Sequence, residues 1–154
     1  MPTLPATTGR VRRSTAEAVN RRIQDQLERD VAFYAEHPER IARRLEALDR
    51  EWDTERTLEA NAATLALGGT VLGLLGDRRF LALPAMVAGF LLQHAVQGWC
   101  PPLPIIRRLG VRTAEEINRE RTALKALRGD FAPVVQAAAG DAQARAAAAL
   151  RAAA

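Results

Sequence analysis

The chain has 154 residues, which suits one domain, and it carries 22 Lys and Arg residues against 18 Asp and Glu residues. The excess of four positive charges is small and acidic residues are interleaved with the arginines, so the composition argues against a nucleic-acid-binding protein. A single cysteine, Cys100, excludes an internal disulfide and a metal site built from several cysteines.

The first 13 residues contain two prolines, a glycine and several arginines, but no apolar segment of the kind found in a signal peptide. We expect residues 1–13 to be a disordered basic arm. Ser14 to Glu17 matches a capping box and predicts a helix that runs to about Glu36. Its apolar residues recur every three or four positions and form one narrow stripe: Val19, Ile23, Leu27, Val31 and Tyr34.

Pro38 is placed where the first turn of a second helix tolerates proline. This helix presents Ile41, Leu45, Leu48 and Trp52 on one face, and we expect it to continue into the apolar segment that follows. Residues 14–58 are therefore predicted to form an amphipathic cytoplasmic helical hairpin. Three partners remain open for its stripes: each other, another subunit, or a membrane surface. The mixture of Arg and acidic residues on the polar faces favours helix pairing.

An apolar stretch from Ala60 to Trp99 is interrupted once, by the charged residues 77–79. Its second half matches the roughly 20 residues that a spanning helix needs, and its first half is nearly as long. Residues 59–100 are predicted to form a two-span transmembrane hairpin that contacts the lipid bilayer. The alternative is the centre of a soluble helical bundle. The flanking helices carry stripes too narrow to cover two helices that are apolar all round.

Small residues recur at helical spacing along both apolar segments and predict close helix packing. The first segment carries Ala62, Ala66, Gly69 and Gly73, and the second carries Ala85 and Gly89, followed on the same side by Gln93 and Gln97. These faces can pack within one hairpin or across a dimer, so a homo-oligomer or another membrane protein is the expected partner.

Three prolines between residues 101 and 104 end the second apolar segment abruptly. Thr113 to Glu116 forms another capping box and predicts a short helix to about Leu127. Residues 101–130 are thus a proline exit followed by an amphipathic helix. Residues 131–154 are an alanine-rich tail or frayed helix with little to bury. Arginines flank both apolar segments on their outer sides, which predicts that both termini are cytoplasmic.

Two residues are candidates for chemistry. Cys100 is either a sulfur-carrying or redox thiol, activated by Arg107 and Arg108, or a small buried residue that closes a helix. His94, near Gln93 and Gln97, is either a ligand or proton relay, or a neutral histidine that bonds across the helix pair. A metal site would need more ligands than these two residues. No catalytic set and no cofactor-binding motif is recognisable, so we predict no enzyme activity, no metal and no cofactor.

Three segments resemble the YgaP-like transmembrane domain family: Glu51–Arg56, Leu58–Asn61 and Gly98–Pro102. The resemblance covers roughly residues 52–131 and implies a small two-span domain of the bacterial inner membrane. Some members of that family follow a rhodanese sulfurtransferase domain, which this chain lacks. The resemblance therefore implies a separate sulfurtransferase as a possible partner, but not the activity itself.

The sequence predicts an all-α protein, a two-helix transmembrane hairpin with flanking amphipathic cytoplasmic helices. The leading function is a non-enzymatic module of the inner membrane that anchors, scaffolds or oligomerises. The alternative is a small transport or sulfur-handling accessory protein that uses Cys100 and His94.

Overall fold

A computed structural model describes residues 9–137 and 142–153, and within these ranges every regular element is a helix. The α-helices are α1 (Arg10–Arg13), α2 (Glu17–Glu36), α3 (Ile41–Arg50), α4 (Thr54–Leu75), α5 (Ala82–Gln97), α6 (Leu103–Arg108), α7 (Ala114–Arg128), α8 (Ala132–Gln136) and α9 (Ala142–Ala153). Short 3₁₀ helices, Pro38–Arg40 and Arg78–Leu81, precede α3 and α5. The prediction of an all-α fold is confirmed.

The chain divides into two compact units that differ from the predicted segments. The first comprises Met1–Asp25 and Trp52–Ile117, and the second comprises Gln26–Glu51 and Asn118–Ala154. Each unit is therefore built from two separate stretches of sequence. This division cuts across the predicted hairpin of residues 14–58.

The N-terminal segment contains a helical turn that we did not predict. Residues 10–13, expected to belong to a disordered arm, form α1, and its Val11 is buried with Leu58, Cys100, Leu103 and Ile106 in the core of the first unit. An apolar side chain with such partners gives this turn a reason to be ordered. Residues 1–8 lie outside the described residues.

Helices α3 and α4 are separate, whereas we expected the helix that begins after Pro38 to continue into the first apolar segment. The backbone is extended at Glu51, and the Asp53 carboxylate accepts a hydrogen bond of 2.7 Å from the backbone N–H of Arg56. An aspartate in this position is a helix N-cap, which explains why α4 starts anew at Thr54. Trp52, predicted to share the face of α3, lies in the connection and is exposed.

Helices α4 and α5 pack against each other through the predicted small face of α4. Gly69 and Gly73 are buried, and Ala62 and Ala66 are half-buried. A Cβ atom added at Gly69 would lie 2.8 Å from Pro84 Cδ, and one at Gly73 would lie 2.5 Å from Leu81 Cδ2. The two glycines therefore permit an approach that a larger side chain would prevent.

The corresponding face of α5 differs from the prediction. Ala85 and Gly89 are exposed, and a Cβ atom at Gly89 would meet nothing within 4 Å. The residues that α5 turns inward are Val87 and His94, which are both buried. Within one chain, α4 thus packs against larger side chains of the segment that contains α5, and Ala85 and Gly89 do not take part.

In the second unit, an ion pair joins α3 and α7. Glu120 is fully buried, and both its oxygens accept hydrogen bonds from Arg44, at 2.7 and 3.1 Å. The predicted apolar residues Ile41, Leu45 and Leu48 are buried, as is Leu124 on α7. The two hydrogen bonds from Arg44 compensate the charge of the buried Glu120 carboxylate.

Two stretches contain a segment that is long and apolar enough to cross a membrane: Pro38–Leu75, which comprises α3 and α4, and Arg78–Gln97, which comprises α5. Only 17% and 11% of their apolar windows are buried within the chain. A central helix of a soluble bundle would bury most of such a window, so the protein itself does not cover these surfaces.

Candidate functional site

A charged cluster joins three helices of the first unit. His94 Nε2, on α5, lies 2.9 Å from Glu55 Oε2, in the first turn of α4. Glu55 Oε1 accepts a hydrogen bond of 3.2 Å from Arg10 on α1, and Arg10 also donates to the backbone carbonyl of Ala95, at 3.0 Å. These contacts link α1 and the beginning of α4 to the last turn of α5.

His94 is buried and contacts Glu55 through one of its two ring nitrogens. His94 is 4% exposed, and its Nδ1 has no protein hydrogen-bond partner among the described residues. Nε2 thus forms a hydrogen bond with the Glu55 carboxylate that crosses from α5 to α4. The two predicted roles of His94, ligand binding or proton relay and a structural bond across the helix pair, both stay predictions.

A second polar cluster surrounds Arg107, which is fully buried on α6. Its guanidinium donates to both oxygens of Glu116 on α7, at 2.7 and 2.8 Å. It also donates to Thr15 Oγ1, Asn20 Oδ1 and the backbone carbonyl of Val111, at 3.3, 3.1 and 2.9 Å. All five guanidinium N–H groups are thereby used.

Glu116 is held in its charged form by these contacts. Burial alone would raise its pKa, but hydrogen bonds from Arg107 and Thr113 outweigh this effect, so the pKa of Glu116 lies below its usual 4.5. The Thr113 hydroxyl accepts from the Glu116 N–H, and Glu116 accepts from the Thr113 N–H. The predicted capping box at residues 113–116 is confirmed. The other predicted capping box was at residues 14–17. There the Thr15 hydroxyl donates a hydrogen bond to the backbone carbonyl of Val11.

Cys100 lies beyond Gln97, the last residue of the second membrane-length stretch, and is 3% exposed. Burial raises the pKa of the Cys100 thiol; a backbone hydrogen bond from Leu103 opposes this rise, and the Glu55 carboxylate adds to it. Arg107 was predicted to activate the Cys100 thiol, but its guanidinium donates its hydrogen bonds to Glu116, Thr15, Asn20 and Val111. The raised pKa lowers the thiolate fraction of Cys100, and the thiolate is the reactive form of a cysteine.

An apolar groove runs between α4, α5 and the segment around α6. Its volume is about 400 Å³. The lining is Thr57, Leu58, Asn61, Ala62, Leu65, Val87, Phe90, Leu91, Cys100, Pro102, Ile105, Ile106, Leu109 and Val111. None of these side chains is charged, so the groove suits an apolar ligand.

The structure brings together a different set of polar residues from the one that the sequence suggested. Gln93 is half-buried and Gln97 is exposed, and neither belongs to the cluster of Arg10, Glu55 and His94. Among the described residues no three His, Cys, Asp or Glu side chains converge on a possible metal site. The roles of Arg10, Glu55 and Arg107 were missed, because most of their side-chain partners lie 39 to 92 residues away in sequence. The pair of Arg107 and Glu116, by contrast, is only nine residues apart. The sequence indicated a structural role for Glu116 only through the capping box at residues 113–116.

The chain matches no protein-family model, no curated protein and no solved structure at a significant level of similarity.

Proposed function

We propose that this protein is a non-enzymatic integral membrane module, in which α4 and α5 form a two-span transmembrane hairpin that anchors or scaffolds the rest of the chain. The observation that carries the proposal is the exposure of the apolar helices. Large side chains such as Leu67, Leu74, Leu75 and Leu92 are between 67% and 86% exposed. In a bilayer these surfaces face lipid, whereas in water they would form a large unfavourable patch.

The distribution of charge supports one orientation of this hairpin. Arginines before α4 and after α5 outnumber the two in the connection, Arg78 and Arg79, so both termini belong in the cytoplasm. The resemblance to the YgaP-like transmembrane domain family supports the same assignment and makes the bacterial inner membrane the proposed location. The helices outside the hairpin are then its cytoplasmic, amphipathic part.

Oligomerisation belongs to the same proposal. The exposed small residues Ala85 and Gly89 permit a second helix to approach α5 closely. A second copy of the chain or another membrane protein is the proposed partner.

The membrane location is tested by alkaline carbonate extraction of isolated membranes. Because α4 and α5 would be held by their apolar surfaces, the protein should stay in the pellet, together with an integral marker protein. A peripheral marker should be released in the same tube. Recovery of the protein with the peripheral marker would reject the transmembrane hairpin.

The alternative function, transport or sulfur handling with a sulfurtransferase partner, requires Cys100 and His94. The burial of the Cys100 thiol and the hydrogen bond between His94 and Glu55 favour the structural roles. The double variant Cys100→Ser/His94→Ala should therefore remain in the membrane with an unchanged oligomeric state. We expect a loss of stability, because the hydrogen bond to Glu55 and the packing of the buried imidazole are both removed, but no loss of membrane insertion. A variant with normal stability and insertion that fails to complement a deletion strain would favour the alternative.

A further inference from the structure

The groove between α4, α5 and α6 has the shape and chemistry of a site for one hydrocarbon chain. Along α4 its lining extends from Thr57 to Leu65, nine residues whose eight rises span about 12 Å of helix. One leaflet of the hydrocarbon core is about 15 Å thick, half of the total of about 30 Å. The groove thus has nearly the depth of one leaflet.

Polarity changes along the groove in the direction that a membrane lipid requires. Its two hydrogen-bonding side chains on α4, Thr57 and Asn61, lie toward the charged start of that helix, and Leu65 lies at the apolar end. Thr57 already donates to the Asp53 carbonyl and Asn61 to the Thr57 carbonyl, at 2.8 and 2.7 Å. A charged or strongly polar ligand would lose its water inside the groove without gaining ionic partners.

The groove has a size suited to a small ligand. Its volume of about 400 Å³ lies within the range of roughly 300–1,000 Å³ that is usual for ligand pockets, so a single hydrocarbon chain is an occupant of suitable size. The rim residues Ile105 and Leu109, one helical turn apart, are 62% and 78% exposed and extend the apolar surface outward.

We propose that this groove binds one acyl chain of a bilayer phospholipid. The inference depends on the proposed membrane location, because only there do acyl chains surround the groove. A bound lipid would fill the cavity beside Cys100 and link α6 to the two spans. The groove would thus bind a lipid from one leaflet of the bilayer to the protein.

Native mass spectrometry of the purified full chain, after exchange into a detergent that strips loosely held lipid, tests this proposal. We expect one phospholipid per chain to remain on the wild-type protein. Ala62→Phe fills the groove and should reduce the lipid-bound fraction at least tenfold. Ala63→Phe, on the exposed neighbouring residue outside the groove, is the matched control and should retain the lipid.

A second variant avoids the risk that Ala62→Phe misfolds. Leu109→Asn changes an exposed rim residue, so helicity should be unchanged while lipid retention falls severalfold. Absence of bound lipid on the wild-type protein, equal retention in Ala62→Phe and Ala63→Phe, or unchanged retention in Leu109→Asn would overturn the proposal. Carbonate extraction of the membranes from which each protein is purified separates the two proposals: a protein that stays in the membrane but binds no lipid refutes only the groove.

Discussion

The first unit contains both the α4–α5 pair and the corner between α6 and α7, by which we mean Arg107, Glu116 and their hydrogen-bond partners. Different interactions stabilise the two regions. In the helix pair, close contact depends on the absence of side chains at Gly69 and Gly73. In the corner, contact depends on a buried ion pair, Arg107 with Glu116, whose hydrogen bonds are satisfied. The comparison teaches two ways of selecting one packing arrangement. Helices that are apolar on all sides select it by the fit of their surfaces, whereas a buried charged side chain selects it because every one of its hydrogen bonds needs a partner.

The largest expected effect comes from removing one member of the buried pair. Arg107→Met leaves Glu116 buried without its partner and also leaves Thr15 and Asn20 without their contacts to the guanidinium. We expect a loss of about 3–5 kcal/mol in the free energy of unfolding. Chemical or thermal unfolding in detergent, followed by circular dichroism, measures this loss.

A control for this experiment is Arg121→Met, which removes a partly exposed pair with Asp49. Such pairs contribute at most about 1 kcal/mol. The double variant Arg107→Met/Glu116→Gln should recover part of the loss, because no uncompensated charge remains buried. Similar small losses for Arg107→Met and Arg121→Met would contradict the role assigned to the corner.

A smaller effect is expected from adding bulk in the helix pair. Gly69→Leu places atoms against the ring of Pro84 and the Cβ of Leu83, which cannot move without a shift of backbone. The expected cost is about 1–3 kcal/mol. Gly73→Leu should act in the same direction and exceed Leu72→Ala, because Leu72 is 51% exposed. Thermal unfolding in detergent and cross-linking between α4 and α5 provide the measurements.

Gly68 is a matched control for this comparison, since an added Cβ there would meet nothing within 4 Å. Gly68→Leu should therefore leave stability nearly unchanged. If Gly68→Leu and Gly69→Leu had equal effects, the glycines would matter for their helix propensity and not for packing.

The smallest expected effect is a pH dependence confined to the corner. The pKa of Glu116 is lowered in the folded chain, so its pairing stabilises the fold above the usual carboxyl pKa of 4.5. This contribution should be lost as the pH falls through the lowered pKa. In unfolding experiments over this acidic range, Glu116→Gln should show a shallower pH dependence than the wild-type protein. Parallel profiles would assign the acid sensitivity to other carboxyl groups.

Sequence alone determined the helical character of the chain, its two membrane-length apolar stretches and the packing face of α4. These features follow from the period and composition of neighbouring residues, which the chain order displays directly. The capping box at Thr113 is equally local. The division between α3 and α4 was missed, because the N-cap at Asp53 was not recognised.

Only the tertiary structure decided which charges are paired and which face of α5 turns inward. Arg10, Glu55 and His94 lie on three different helices. Arg107 donates hydrogen bonds to Asn20 on α2 and to Glu116 on α7. Exposed and buried arginines look alike in a sequence, since burial depends on which distant segments fold around them. The face of α5 was predicted from its small residues. Its actual contacts depend on how the Arg78–Leu81 turn and the Glu55–His94 contact orient the helix against α4.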